Sequence, residues 1–467
     1  MSSPEAPGSQ AVDGAATPDD PGDAGAFGVT PLGIWGLAWP TMLAMGAGTV
    51  VRLTDFAMVG DLGPSATAAI GVGGNFYWLI ESLASVPSLG LMAILARAVG
   101  AGDRALADAS HRQAQLQGVA LALLGCALVF PATEWAIGIY GVEPDVVALA
   151  SDYLWWRLWA TVPLAIAMNF GSALRAAGDA RTPLWAGLVA ASVNVFMNWV
   201  LIYGNLGAPA LGVTGAAIAS NLALVVMMIH FIFLWATKRL TLVPTAGSWR
   251  PDSDLQRRLL RVGVPSGLEG GLFQVGLMLF QRIMSTFGTN VVAAYNVGSM
   301  LLNFSFMPGV GFAVAASTLV GQHLGARDPD RAAREGWRAM LWAIGAMSGI
   351  GLVLALFARP IADAFTNDPE VIELSVLVLT IFAFAHPLMA IEFALGGALR
   401  GSGDTVFPLI CVFSGLVVVR LGVATALVVF LDAPIEWVWS VLLLDYALKT
   451  VLFVERFRRG PWKRRQV

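Results

Sequence analysis

The chain has 467 residues, 57% of them apolar and only 13% charged, with a net charge of -3 and a mean hydropathy of +0.71. A soluble domain averages about 25% charged residues, so most of this chain does not face water. The roughly three soluble domains that length alone would suggest are excluded. Cys126 and Cys411, the only cysteines, both lie in apolar runs; they argue against a disulfide framework and read as two small buried hydrophobes.

Residues 1–27 are rich in Gly, Ala, Pro, Ser and Asp and lack the basic start and apolar run of a signal peptide. They read as a disordered cytoplasmic tail. Twelve apolar segments follow, at about 33–59, 67–95, 110–130, 151–173, 182–204, 212–236, 259–287, 292–321, 336–357, 371–397, 405–430 and 434–455. Each approaches the ~20 apolar residues that a spanning helix needs. Pro40, Pro87, Pro163, Pro265, Pro308 and Pro387 lie within them, where proline bends the helix, either as a fixed packing kink or as a hinge between states. The predicted organisation is an N-lobe of six spans over 28–236, a basic linker over 237–258, a C-lobe of six spans over 259–455, and a basic tail over 456–467.

Basic residues set the orientation. Twenty-two Lys and Arg fall in alternate gaps, the linker and the C-terminal tail, against Arg359 alone in the opposite gaps. That asymmetry predicts both termini on the cytoplasmic side. Trp35, Trp135, Trp235 and Trp437 fall near predicted span ends, as an interfacial belt requires. The basic loops read as topology determinants, with anionic-lipid contact as a lesser alternative.

The chain repeats itself at an offset of 225 residues. Pro40 matches Pro265, Gly63 and Gly73 match Gly288 and Gly298, and Asp103 matches Asp328. Ala-Leu-Arg-Ala-Ala-Gly-Asp at 173–179 matches Ala-Leu-Arg-Gly-Ser-Gly-Asp at 398–404. Six spans per copy make both copies enter from the same side. The expected fold is an all-α membrane protein of twelve transmembrane helices, in two six-helix lobes related by a pseudo-two-fold axis along the membrane normal. Such lobes enclose a cleft able to open to either side, the geometry of a transporter.

Six stretches carry a resemblance. They are Thr-Asp-Phe-Ala-Met-Val-Gly at 54–60, Gly-Ala-Gly-Asp at 100–103, the two Leu-Arg-x-x-Gly-Asp stretches from 174 and 399, Leu-Gly-Val-Thr-Gly-Ala-Ala-Ile-Ala-Ser at 211–220, and Val-Pro-Ser-Gly-Leu-Glu at 264–269. In order and spacing the chain resembles the multidrug and toxic compound extrusion (MATE) family over nearly its whole length after the tail. The resemblance implies two lobes in a V and cation-coupled export of drugs or toxic organic compounds.

An ionisable residue inside a span costs a few kcal/mol and is a functional candidate by default. Asp55 lies deep in the first span. It could relay a proton or coordinate Na⁺, or it could simply be neutralised by Arg52 or a partner helix. Asn194 and Asn198, four apart in the fifth span, share a face and could equally serve as interhelical hydrogen-bond glue. The resemblance implies that Asp55, Asn194, Asn198 and Ser220 form a cation-coupling site, a possible Na⁺ site at the first three. Asn198 stands where relatives often carry an acid, so the site holds one negative charge fewer. Glu269 and Glu392 are the deep acids of the second half; the resemblance implies a substrate or second-cation site there, and either acid could attract a cationic cargo directly. Arg157, Arg282, His386 and Arg420 are the alternative partners for these acids. Glu81 reads evenly as a cleft acid or a structural one, and Asp445 with Lys449, four apart, reads as a neutralised pair.

No His-Glu-x-x-His, phosphate-binding Gly-x-x-x-x-Gly-Lys or Cys–His cluster points to catalysis. The reading is a secondary antiporter and not an enzyme. It uses no cofactor beyond H⁺ or Na⁺ as coupling ion and takes a small cationic or amphipathic cargo. It acts as a monomer in the lipid bilayer of a bacterial inner membrane, with no nucleic-acid partner. The rivals are a flippase-type exporter of a lipid-linked precursor, which calls for a strongly basic cavity, and a membrane scaffold without transport, which calls for every buried acid to be paired. An unrelated twelve-helix carrier would instead show inverted three-helix repeats nested in each half.

Overall fold

The computed structural model describes residues 33–138, 141–240 and 247–465. The tail predicted over 1–27 lies outside them, as do residues 241–246 of the linker and the last two residues of the basic tail.

The described residues form helices joined by short turns, with no strand among them. The first half contains α1 (Ile34–Gly60), α2 (Pro64–Gly100), α3 (Arg104–Val129), α4 (Thr133–Gly138), α5 (Pro144–Leu158), α6 (Thr161–Ala176), α7 (Arg181–Tyr203) and α8 (Gly212–Ala236). The second contains α9 (Ser253–Met284), α10 (Thr289–Gly325), α11 (Pro329–Leu356), α12 (Ala358–Phe365), α13 (Pro369–Gly401), α14 (Val406–Val412), a π-helical stretch Phe413–Val423, α15 (Ala424–Leu431) and α16 (Ile435–Arg459). Ten rods are long and apolar enough to cross a membrane, counting α14 to α15 as one. The other two crossings are α9, diluted by Arg257, Arg258, Arg261 and Glu269, and the α5–α6 pair.

That pair departs from the expected single span. The helix breaks at Trp159–Ala160, where the N–H groups of Trp159 and Ala160 turn to the carbonyls of Trp156 and Arg157, just ahead of Pro163. Its counterpart α13 runs unbroken through Pro387.

The 225-residue repeat is reproduced in local geometry. The starts of α2, α3, α4, α5 and α7 recur at that offset in α10, α11, α12, α13 and α14. Asp103 caps α3 by accepting from the Leu106 N–H at 2.9 Å, and Asp328 caps α11 by accepting from the Arg331 N–H at 2.8 Å. The chain enters α2 and α10 through Gly63 and Gly288 at φ 111° and 103°, a conformation that glycine alone adopts freely.

Outward faces carry exposed Leu128, Leu341, Leu352, Phe384 and Phe430, an apolar surface suited to lipid rather than water. Interior crossings are made by small residues, which let backbones approach closely. The lobes meet along α1 with α10, α2 with α9, and α2 with α10. At the closest point a Cβ on Gly100 would lie 1.8 Å from the Gln322 carbonyl oxygen, and one on Gly325 would lie 2.1 Å from that of Arg97. Gly100 and Gly325 are repeat counterparts, so the contact is two-fold. Arg97 Nη2 donates to the Ser402 carbonyl (2.8 Å) and Gln322 Nε2 to the Ala176 carbonyl (2.8 Å) across the same seam. These contacts all lie at the end of the bundle that carries the basic loops. The lobes are shut there.

Candidate functional site

Four predicted residues come together inside the first lobe. Asp55 sits on α1, Asn194 and Asn198 on one face of α7, and Ser220 on α8. Asn198 Nδ2 donates to Asp55 Oδ1 and to Asn194 Oδ1 (3.3 Å), and Asn194 Nδ2 donates to Ser220 Oγ (3.1 Å). Both asparagines are buried, and Asn198 Oδ1 has no hydrogen-bond partner among the described residues. The cluster therefore presents carboxylate, amide and hydroxyl oxygens in a dry place, where an unmet acceptor is costly. Such a donor set suits a proton or a hard monovalent cation. The nearby basic group is Arg157, whose charge acts on both Asp55 and Glu81. Its guanidinium lies 4.1 Å from the Tyr77 ring centre and donates to Asn221 Oδ1 at 3.0 Å. Arg52 turns away from Asp55 and donates to Thr49 Oγ1 at 3.0 Å.

A cavity of about 770 Å³ lies between the lobes. Its walls are apolar: Met92, Phe273, Met300, Phe304, Phe306 and Met307 are among them. Arg175, Glu269, Ser317, Glu392 and Arg400 line it, with Thr49, Arg52 and Asn303 among its other polar groups. Glu269 and Glu392 both line this cavity. Each already has a basic partner: Arg400 Nη1 is 2.8 Å from Glu269 Oε1, and Lys449 Nζ is 2.8 Å from Glu392 Oε2. Asp55, Asn194, Asn198 and Ser220 do not line this cavity. The two sites are separate and share one helix, α1, which carries Asp55 and lends Met45, Thr49, Arg52 and Leu53 to the cavity wall.

Behind Glu392 runs a chain of buried charges. Lys449 Nζ lies 3.3 Å from Asp445 Oδ1, and Asp445 Oδ2 lies 2.5 Å from Arg420 Nη2, with Arg420, Asp445 and Lys449 all essentially unexposed. The pairing expected between Asp445 and Lys449 is thus one link of a four-residue set that also absorbs Arg420 and Glu392. Burying four charges requires such alternation. Of the other proposed partners, Arg282 donates to Ser285 Oγ at 3.0 Å near the surface, and His386 Nδ1 lies 2.6 Å from the Phe382 carbonyl oxygen. Neither meets an acid.

Arg175 and Arg400 also line the cavity, although in the sequence they stand among the loop charges that set topology. Their equivalence was already visible in the paired Leu-Arg motifs. A guanidinium on a span's last turn can fold back along its own helix, and both do so: each lies against the glycine four residues earlier, Gly171 and Gly396.

Two repeated lobes, shut at one end around an amphipathic cavity, define a two-lobed membrane transporter and not an enzyme. The MatE family model matches this chain twice, over residues 40–200 and 265–425, the two matches set one repeat apart. The chain is 30% identical over 443 residues to the "Probable multidrug resistance protein NorM" of Thermotoga maritima, covering 92% of this chain and 93% of that protein. It is 28% identical to a protein of the same name from Mesorhizobium japonicum, over 91% and 92% of the two chains. The chain therefore belongs to the MATE family of membrane transporters. Solved structures agree in fold. An outward-facing multidrug resistance MATE transporter superposes with a TM-score of 0.83 at 23% identity, covering 91% of this chain and 94% of that one. A transporter from Pyrococcus furiosus, described as having a binding pocket of reverse polarity, superposes with 0.83 at 22% identity over 93% and 96%.

Proposed function

We propose that this protein is a secondary antiporter of the bacterial inner membrane that exports drugs or toxic organic compounds in exchange for H⁺ or Na⁺. The carrying observation is the double duty of α1. The helix holds Asp55 in the polar cluster and, within one turn of it, Arg52 and Leu53 in the cavity wall. Its first turns pack on α10 of the other lobe. A cation or proton arriving at Asp55 changes the charge α1 carries and the hydrogen bonds it makes to α7. It thereby biases the packing of the helix that borders both cargo and the opposite lobe. A bound ion shifts such an equilibrium only through its different affinity for the two states, and Asp55 supplies that difference.

In this reading the basic end is cytoplasmic by the positive-inside rule, both termini lie there, and the shut basic end makes this the outward-open state. The protein works as a monomer, since the cavity is complete within one chain. The names carried by its relatives support drug-like cargo. The test is efflux of a fluorescent amphipath from proteoliposomes with a pH or a Na⁺ gradient imposed alone. Export driven by one gradient supports the reading. Equal flux with neither gradient would remove the antiport mechanism.

A further inference from the structure

Around the polar cluster and the cavity, most of the charges face an opposite charge, and Arg175 does not. Around the polar cluster, the charge of Arg157 acts on both Asp55 and Glu81, and that of Arg52 acts on Glu81. At the cavity, Glu269 pairs with Arg400. Behind it, Glu392, Lys449, Asp445 and Arg420 alternate and cancel. The two sets of the second lobe are neutral. Arg175 belongs to none of them: its only side-chain partner among the described residues is the Ser172 hydroxyl, at 3.3 Å. It lines the shut end of the cavity, and its backbone carbonyl accepts from Thr318 Oγ1 of the opposite lobe at 3.1 Å, which places it at the seam between the lobes.

Arg175 is the repeat counterpart of Arg400, and the two are laid down alike. A Cβ on Gly171 would meet the Arg175 guanidinium at 3.2 Å, and one on Gly396 would meet that of Arg400 at 3.4 Å. The difference is the acid. Arg400 has Glu269; the position one repeat before Glu269 is Ala44, so Arg175 has no such partner. An unpaired guanidinium on a cavity wall is best met by a planar anion that accepts two hydrogen bonds. The acids that would draw a cation, Glu269 and Glu392, are both already neutralised by protein groups.

We propose that the cargo is an amphipathic anion, a carboxylate or sulfonate head seated on Arg175 with its apolar body along the Met and Phe walls. This names the substrate class of the cavity and so rests on the export reading above. A cavity of about 770 Å³ lies within the ~300–1,000 Å³ of small-molecule sites, which favours a drug-sized anion over a long-chain lipid diphosphate.

The test uses dansyl taurine and dansylcholine, which share a fluorophore and differ in the sign of the head. Equilibrium binding to the purified full-length protein and gradient-driven efflux are measured separately. Wild type is expected to bind and export the sulfonate in preference to the choline. Arg175→Gln is expected to lower the anion-to-cation preference by about tenfold or more, the loss of one charge-assisted contact, and Arg175→Lys to keep most of it. A wild-type preference for dansylcholine would overturn the proposal while leaving the antiporter standing. So would an Arg175→Gln variant that lowers both probes alike, or displacement of the sulfonate by a polyprenyl diphosphate at lower concentration than by a drug-sized carboxylate. Anion binding without export would do the reverse: the polarity of the site would stand and the antiport reading would fall.

Discussion

Asp445 occupies in the second lobe the position that Ser220 occupies in the first, one repeat of 225 residues away. The substitution goes with a second one beside it. Phe280 stands where the first lobe has Asp55, and the Arg420 guanidinium lies 5.9 Å from its ring centre while Asp445 holds the same guanidinium at 2.5 Å. The first lobe thus presents open oxygens in a place where the second carries a tethered cation. The helix differs too: α7 is regular through Asn194 and Asn198, whereas its counterpart winds as a π-helix from Phe413 to Val423 around Arg420. π-Turns of this kind gather at sites where a side chain must be re-aimed.

In the antiport reading proposed above, ion coupling falls to Asp55. Asp55→Asn keeps the shape and the hydrogen bond from Asn198 but cannot change charge. It is expected to reduce gradient-driven efflux by about tenfold or more, the scale on which lost coupling reads out, with membrane insertion and equilibrium cargo binding retained. Efflux at the wild-type rate from this variant would remove Asp55 from the relay.

Asn198 is the second lever. Asn198→Asp places a second carboxylate against Asp55, two like charges that a bound cation relieves. Na⁺ affinity, read as the Na⁺-dependent rise in unfolding temperature, is expected to increase by about tenfold, equivalent to ~1.4 kcal/mol. Asn194→Ala, which breaks the link to Ser220, is expected to lower it. No Na⁺ response in either variant would leave a proton as the ion.

The charge chain of the second lobe is structural by the same comparison. Arg420→Met strands Asp445 in a dry interior and is expected to destabilise by about 3–5 kcal/mol. The double variant Arg420→Met with Asp445→Leu is expected to recover much of that loss. Thermal unfolding in detergent measures both. A single variant as stable as wild type would show that the chain is not held by pairing.

The seam at Gly100 and Gly325 is the expected gate at the basic end. Gly100→Val puts a side chain into the Gln322 carbonyl, a close approach that no rotamer relieves. It is expected to open that end, so that a cysteine introduced at Ser317 reacts with a membrane-impermeant maleimide supplied from the basic side several-fold faster than in the Gly100 background. Unchanged labelling would show that the lobes separate elsewhere.

Much of this was legible in the residues. Apolar runs, the repeat and the placement of arginines specify twelve spans in two like lobes, because in a bilayer backbone groups must be satisfied within the helix and little freedom remains. Asp55, Asn194, Asn198 and Ser220 could be chosen from burial and the resemblance, since helix period puts i and i+4 on one face. What could not be chosen was pairing across helices. Glu392 with Lys449 spans 57 positions, and Glu269 with Arg400 spans 131. No local rule relates such residues.

By itself, then, the sequence determined that this chain lives in a membrane, how often it crosses, which faces repeat, and which buried polar residues are out of keeping with lipid. Those are consequences of hydropathy and helical period, which act along the chain. Only the tertiary structure decided which end of the bundle is shut, that the polar cluster and the central cavity are separate sites joined by α1, and that Arg175 lines the cavity with no acid paired to it among the described residues. Those depend on which helices face each other across tens of residues, and on the long arginine side chains folding back from the loop end into the cavity, where charge is decided by neighbours in space.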